Sequence, residues 1–535
     1  MKKIKSSKEG NAIALVTLLM AAVFGIVLLN GHFGTKSTSL PYEKAPEAMP
    51  NMPISKDNTV SADFISHLPL IILQIGEEDP RSDSLWDVDK GYQMPVDFDP
   101  YVSGEIKLIA GEEGVNCLSD TATMKSKLKI RLRGNSSADF DKKQYLLKLY
   151  NEDGSKNKQD ILGMGKDWEW VLNVSFIDKS LMRNYAAYTM GKQLNVASPD
   201  AEYCEVFRQR GEVFEYMGVY LIMENVERSN DRVDIPKYSE KSKNVPYILR
   251  RDRFDGMGVM LPLNSTANKQ FYGSVELKYP KRDMMSQEDF DKIVEEVNTI
   301  ERTLLSDVPR EYLNYSKLLN VDSFVDYFIL NELLMNYDAG FRSTYSYKSY
   351  DGKLTMGPFW DFDQSLDNDP IGRTDLHRTA MQEAAWFRQL LRDPAFVSKV
   401  IERYSTLRDT CFSNEAFEEL MDNTAIYLGT GAERDWNRWG YHYRSDYLKE
   451  KNVLDTSRNV KSYKAELKRI KYAYNTHADW LDKNIEDLYM FCDDKIPAEV
   501  GEEISAQLAG QYSQLMAFVF ILIFLISAVL IRREA

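Results

Sequence analysis

Two uncharged apolar runs, residues 12–29 and 515–531, bracket this 535-residue chain and limit what it can fold into more than any other feature. Each is about the length of a helix that crosses a hydrocarbon core of roughly 30 Å at ~1.5 Å per residue. They predict transmembrane helices over 12–31 and 514–531, buried soluble helices being the alternative. Lys2, Lys3, Lys5 and Lys8 precede the first run, and Arg532 and Arg533 follow the second. The positive-inside rule then expects short cytoplasmic tails (1–11 and 532–535) at the cell membrane, with the main domain extracytoplasmic. A cleavable leader competes for the first run, but Gly31-His32-Phe33-Gly34 offers no site of spaced small residues, which favours an uncleaved anchor.

Between the runs, residues 32–62 are rich in Ser, Thr, Pro and Lys and read as a flexible stalk. Residues 491–513 read as an acidic linker. The stretch 63–490 has the apolar content for a large core, the chain being 44% hydrophobic. A formal net charge of -14 argues against a broad nucleic-acid surface, because neutralising phosphates requires clustered Lys and Arg. Cys117, Cys204, Cys411 and Cys492 contain no CxxC pair, which removes close-spaced zinc and thioredoxin-like sites and leaves free thiols or disulfides open.

Short apolar runs and alternation predict strands at 68–75, 104–110, 126–133 and 145–150, a helix from 178 with Asp178 or Ser180 capping it, and a strand pair at 202–208 and 216–223. Beyond about 286 helices are expected to dominate. Val321, Phe324, Val325, Phe328, Ile329 and Leu333 mark one apolar helix face, and Gly340 is a plausible helix stop. Alternation on both sides of Asp351-Gly352 predicts a hairpin over 344–356. The domain therefore reads as α+β, with a β-rich lobe of about 63–250 and a helical lobe of about 251–490.

Phosphoryl transfer needs a cation for the phosphates, carboxylates for a metal and a base for the acceptor hydroxyl. The best constellation is Asp338, then the hairpin, then GPFWDFDQS with Asp361 and Asp363. Capping and solvated-loop roles compete for these residues. Upstream, RLRGNSS with Arg133 follows a strand and either approaches phosphate or turns a hairpin. Lys148 in KKQYLLKLY shares a face with Leu146 and Tyr150, so it seeks an anionic partner or snorkels to solvent; Lys143 is the second candidate.

Taken in order, RGNSS, KKQYLLKL, DWEWVLNVSFIDKSLMRN, GVYLIMENVERSNDRVDI, LKYP, SFVDYFILNELLMNYD and GPFWDFD resemble the CotH family of spore-coat-protein-H-like atypical kinases, from about residue 68 to 488. The resemblance implies a diverged, bilobal protein-kinase-like fold that binds ATP and Mg²⁺ or Mn²⁺ and phosphorylates protein Ser or Thr, the partners being coat or envelope proteins. It implies a catalytic or metal-associated role for Asp338 and metal binding by Asp361, with Asp363 a second ligand. Lys148, Arg133 and Lys143 become nucleotide-binding candidates, and Glu224 a residue near the base. The chain departs from ordinary kinases in lacking GxGxxG, His-Arg-Asp and Asp-Phe-Gly, and residues 180–194 contain no Glu to pair with Lys148. A catalytically weak scaffold in coat or envelope assembly is therefore the second expectation. A glycosidase using Asp361 and Asp363 is disfavoured, since carboxylates two residues apart on one strand do not flank a scissile bond.

Overall fold

Seven strands of the first half pair in a ring: β1 (Leu70–Gln74), β2 (Val102–Ile109), β3 (Met124–Arg133), β4 (Gln144–Tyr150), β5 (Glu169–Asn173), β6 (Ala201–Arg210) and β7 (Val213–Glu224). The order is β7-β5-β4-β3-β2-β1-β6, and β6 pairs back onto β7 to close it. All the pairings are antiparallel except β1 with β6, where Leu70 lies opposite Glu205. This computed structural model describes residues 52–496 apart from 88, 91, 112–113, 135, 175–176, 254–257, 265–273, 371 and 451–459.

Closure follows from how the strands are patterned. Ile71, Leu73, Ile106, Leu128, Ile130, Leu147, Leu149, Trp170, Leu172, Val206 and Ile222 fill the interior. On β1 the intervening Leu70 and Ile72 pack outside with Phe64, Phe207 and Tyr216. Both faces of β1 are covered, so its sequence is a continuous apolar run rather than an alternating one.

A second sheet joins β8 (Tyr247–Asp252), β9 (Val259–Met260), β10 (Ser274–Tyr279), β11 (Thr344–Lys348) and β12 (Thr355–Met356) in the order β9-β10-β8-β11-β12. The main helices are α1 (Arg183–Gly191), α2 (Gln287–Leu304), α3 (Val321–Leu333), α4 (Pro394–Arg408), α5 (Asn414–Trp439) and α6 (Tyr463–Asn484). Helix α1 begins at Arg183 rather than 178, and its N-cap is Met182 instead of Asp178 or Ser180; Asp178 Oδ2 accepts the Arg183 N–H at 2.8 Å and Ser180 Oγ the Met182 N–H at 3.1 Å, so both brace the turn that leads into it. Helix α3 stops at Leu333, well before Gly340, because Met335 takes a left-handed φ of 53°.

The expected fold needs correction in three respects. The β-rich half is a closed barrel rather than an open kinase-like lobe, since the parallel β1–β6 pair joins strands that periodicity alone leaves unpartnered. The second half is not simply helical, because the five-stranded sheet runs through 247–356. The expected flanking transmembrane helices are not part of the observed fold: among the described residues no helix is long and apolar enough to cross a membrane. The longer helices explain this physically, since α2, α5 and α6 carry charged residues throughout their length. Residues 12–29 and 515–531 lie outside the described residues. The membrane location, with cytoplasmic termini and an extracytoplasmic domain, rested on those runs alone and is withdrawn with them. What stands is a mixed α+β protein.

Candidate functional site

The acidic segment leaves the expected hairpin. Ser346 of β11 lies opposite Met356 of β12. Gly357 then takes a φ of 106°, where a Cβ would come within 2.6 Å of Val196 Cγ1, so only glycine passes this corner. The Phe359 N–H donates to Ala197 O at 2.9 Å, which fixes the segment against the loop after α1. Two residues later Asp361 adopts a left-handed φ of 64°.

Asp361 is solvent-accessible yet recessed. Its backbone N–H donates to the Tyr188 hydroxyl at 3.3 Å and its Oδ2 accepts from Ser343 Oγ at 3.0 Å. Crowding by these walls pushes the carboxyl up to about 6, against the pull of the Arg133 guanidinium and the Ser343 hydrogen bond. Arg133 lies 4.9 Å over the Trp360 ring, which holds its charge beside this carboxylate. Asp363 is held well above the usual carboxylate range by burial and by the charges of Asp361, Asp178 and Asp338, with Arg183 opposing.

Asp338 sits in the loop after α3. Gly340 turns that loop at a φ of 80°, and a Cβ there would meet Ala384 Cβ at 2.7 Å. Arg342 Nη1 and Arg373 Nη2 both approach Asp338 Oδ1, at 3.3 and 3.4 Å. Arg373 is itself anchored on buried Asp369 at 2.5 Å. Charge on Asp338 raises both Asp361 and Asp363, so three carboxylates from two loops act on one another.

Buried polar groups support this convergence. Fully buried Arg183 contacts Asp178 at 2.6 Å and Glu466 at 2.7 Å, and donates to Ser365 O and Leu366 O just beyond the acidic pair. Asn184 Oδ1 accepts the Phe362 N–H at 2.6 Å, Asn184 Nδ2 donates to Asn173 Oδ1, and Asn173 Nδ2 donates to Gln144 Oε1. The acidic segment is thereby keyed to β5 and β4 on the barrel.

The remaining candidates are engaged as follows. Lys148 pairs with Glu169 at 3.5 Å across β4 and β5 and lies over the rings of Tyr101 and Trp168. Burial opposes its charge, but Glu169 and Tyr101 outweigh it and raise the ammonium pKa. Lys148 lies four positions beyond Gln144 on the same outward face of β4, roughly 13 Å along the strand. Lys143 Nζ donates to Ala138 O at 2.7 Å. Glu224 ends β7; its Oε2 accepts the Asp200 N–H at 3.0 Å, its Oε1 pairs with Arg232, and burial pushes it up to about 7.

Sequence reasoning did not single out Arg183, Asn184, Ser343, Arg373 or Glu169. Arg183 and Asn184 fall within the DKSLMRN block, which was the available signal for them. Glu169 becomes visible only through the register that sets it opposite Lys148.

No group of three or more His, Cys, Asp and Glu among the described residues forms a ready metal cage. A pair of carboxylates fits Mg²⁺ nonetheless, since that ion is usually held by one or two protein carboxylates plus waters and substrate phosphates. Asp361 and Asp363, two residues apart on one segment, are the carboxylates that could supply such a pair.

The family model described as CotH kinase protein matches residues 130–481, about two thirds of the chain. Inner spore coat protein H of Bacillus subtilis (strain 168) is 25% identical over 254 residues, 45% of this chain and 60% of that protein. The match thus spans less than two thirds of that relative's length.

Proposed function

The chain belongs to the CotH kinase protein family, and from that premise we propose that it transfers the γ-phosphate of ATP to Ser or Thr of spore-coat-type proteins. The observation that carries this reading is the mutual electrostatic influence of Asp338, Asp361 and Asp363, with the Arg133 guanidinium acting on Asp361. Asp361 and Asp363 would hold Mg²⁺ or Mn²⁺, which when bound supplies neutralisation of phosphate charge. Arg133, braced on Trp360, would bind a phosphate oxygen. Asp338 is restrained on Oδ1 by two guanidinium groups, so the carboxylate would present Oδ2 to orient the acceptor hydroxyl and take its proton. Association with a spore coat is supported by the similarity to an inner spore coat protein.

Transfer of labelled γ-phosphate by the full chain to Ser-rich coat proteins, with and without Mg²⁺ or Mn²⁺, tests the proposal. Metal-dependent labelling is expected. A second reading, a scaffold with weak turnover, is favoured by Lys148, whose ammonium is already paired with Glu169. Nucleotide binding without labelling of any coat protein would select it.

A further inference from the structure

The outward face of β3 carries five cations in succession, Lys125, Lys127, Lys129, Arg131 and Arg133, alternating with residues that point to the barrel interior. Alternation sets them in one row at a spacing of about 6.6 Å. Neighbouring strands add to the row. Lys107 of β2 lies directly opposite Lys125, and Lys148 of β4 lies directly opposite Lys129. Like charges that face each other across strands destabilise a sheet. The stability of the barrel therefore does not account for two such pairs, which stand in a chain of net charge -14.

Local carboxylates answer only part of this charge. Lys127 pairs with Glu105 at 2.6 Å and with Glu152 at 3.2 Å, Arg131 with Asp83 at 2.7 Å, and Lys148 with Glu169 at 3.5 Å. Lys107, Lys125 and Lys129 form no ion pair among the described residues; Lys125 is exposed and the other two are half-buried. The row ends at Arg133, whose charge acts on Asp361. Lys129 precedes Arg133 by four residues, about 13 Å along the strand.

We propose that this row docks an extended, serine-phosphorylated stretch of the protein substrate, so that phosphate already on one Ser favours transfer to a Ser four residues away. The inference rests on the phosphate-transfer reading above and adds substrate selection to it. Side chains on one side of an extended peptide recur at the same spacing as the cations, about 6.6 Å. Phosphoserine oxygens accept charge-assisted hydrogen bonds from ammonium and guanidinium groups. Glu105 and Glu152 interrupt the row, which disfavours the continuous phosphate backbone of a nucleic acid strand.

Fluorescence anisotropy with the full chain, in the absence of nucleotide, compares a Ser-rich peptide in its unmodified form and with phosphoserine at alternate positions. The phosphopeptide should bind about tenfold tighter or more, by a margin that shrinks as salt is added. Lys125→Ser combined with Lys129→Ser should remove most of that margin. Lys461→Ser combined with Lys464→Ser takes the same charge from exposed positions near the start of α6 and should keep it. In the labelling assay, a Ser four residues from a phosphoserine should show a several-fold higher kcat/KM than in the unmodified peptide. Only the β3 variant should lose this gain, while labelling the unmodified peptide as wild type does. No preference for the phosphopeptide, equal losses in both variants, or labelling that gains nothing from the phosphoserine overturns the inference. So does equally tight binding of a single-stranded oligonucleotide of matched charge that depends on the same two lysines. Preferential phosphopeptide binding without labelling of any peptide would keep the docking surface and remove the transfer reading.

Discussion

Asn184 Oδ1 accepts the backbone N–H of Phe362 at 2.6 Å, joining two blocks 178 residues apart in the chain. The bond is buried, and it sets the acidic pair on either side of Phe362 at a fixed distance from the barrel. Asn184→Leu leaves that N–H without an acceptor, which should cost about 1–3 kcal/mol in urea unfolding. Phosphate transfer should fall more than nucleotide affinity, because the carboxylates lose their alignment. Unchanged stability would mean that water replaces the Asn184 carbonyl.

Arg183 joins Asp178 and Glu466 with no solvent contact. Arg183→Met strands two buried carboxylates and should destabilise the fold by about 3–5 kcal/mol at pH 7. Burial raises Glu466, but Arg183 and Arg469 outweigh it and depress its pKa below 4.5. A depressed carboxyl contributes stability above its unfolded pKa and loses it as pH falls through the folded value. The gap between wild type and variant should therefore narrow as unfolding is measured at progressively lower pH below about 4.5.

Asp361 has the opposite sign. With its carboxyl raised from 3.8 to about 6, the folded state loses stability as pH rises through that window, and the loss is complete above it. Asp361→Asn should then stabilise the metal-free protein at pH 7, by about 1 kcal/mol after allowing for solvent screening. Mn²⁺ must displace a proton below about pH 6, so its affinity should drop roughly tenfold per pH unit there. Calorimetry in wild type and variant reads both effects, and pH-independent Mn²⁺ binding between pH 5 and 7 would count against Asp361 as a ligand.

Asp338 and Asp361 should separate binding from turnover. Asp338→Asn is expected to reduce phosphate transfer by two or more orders of magnitude with ATP and Mn²⁺ affinity nearly unchanged, the mark of a group acting on the acceptor hydroxyl. Asp361→Asn should lose transfer and metal affinity together. Thermal shift with ATP and Mn²⁺, run beside the labelling assay, distinguishes the two patterns; transfer that survives both substitutions would place the chemistry elsewhere.

Element identity was largely legible. The apolar run at 68–75 became β1 and the apolar face of 321–333 became α3; the hairpin over 344–356 formed too, but through a six-residue loop in which neither Asp351 nor Gly352 takes a positive φ. Periodicity reports which faces of an element are buried, and that information is local. The order of the motif blocks was local too, so the chain itself indicated the family and the residues Asp338, Asp361 and Asp363 as a set. Strand partners are not local: nothing in the spacing of β1 and β6 announces that they lie parallel and close a barrel. Cation choice follows the same logic. Lys148 and Arg133 look equally suited to an anion in the sequence, yet the register of β4 on β5 gives Lys148 to Glu169, while Arg133 lies over the Trp360 ring and its charge acts on Asp361. Charges are satisfied by whatever the packed chain brings within a few ångströms, and only the tertiary structure decides that distance.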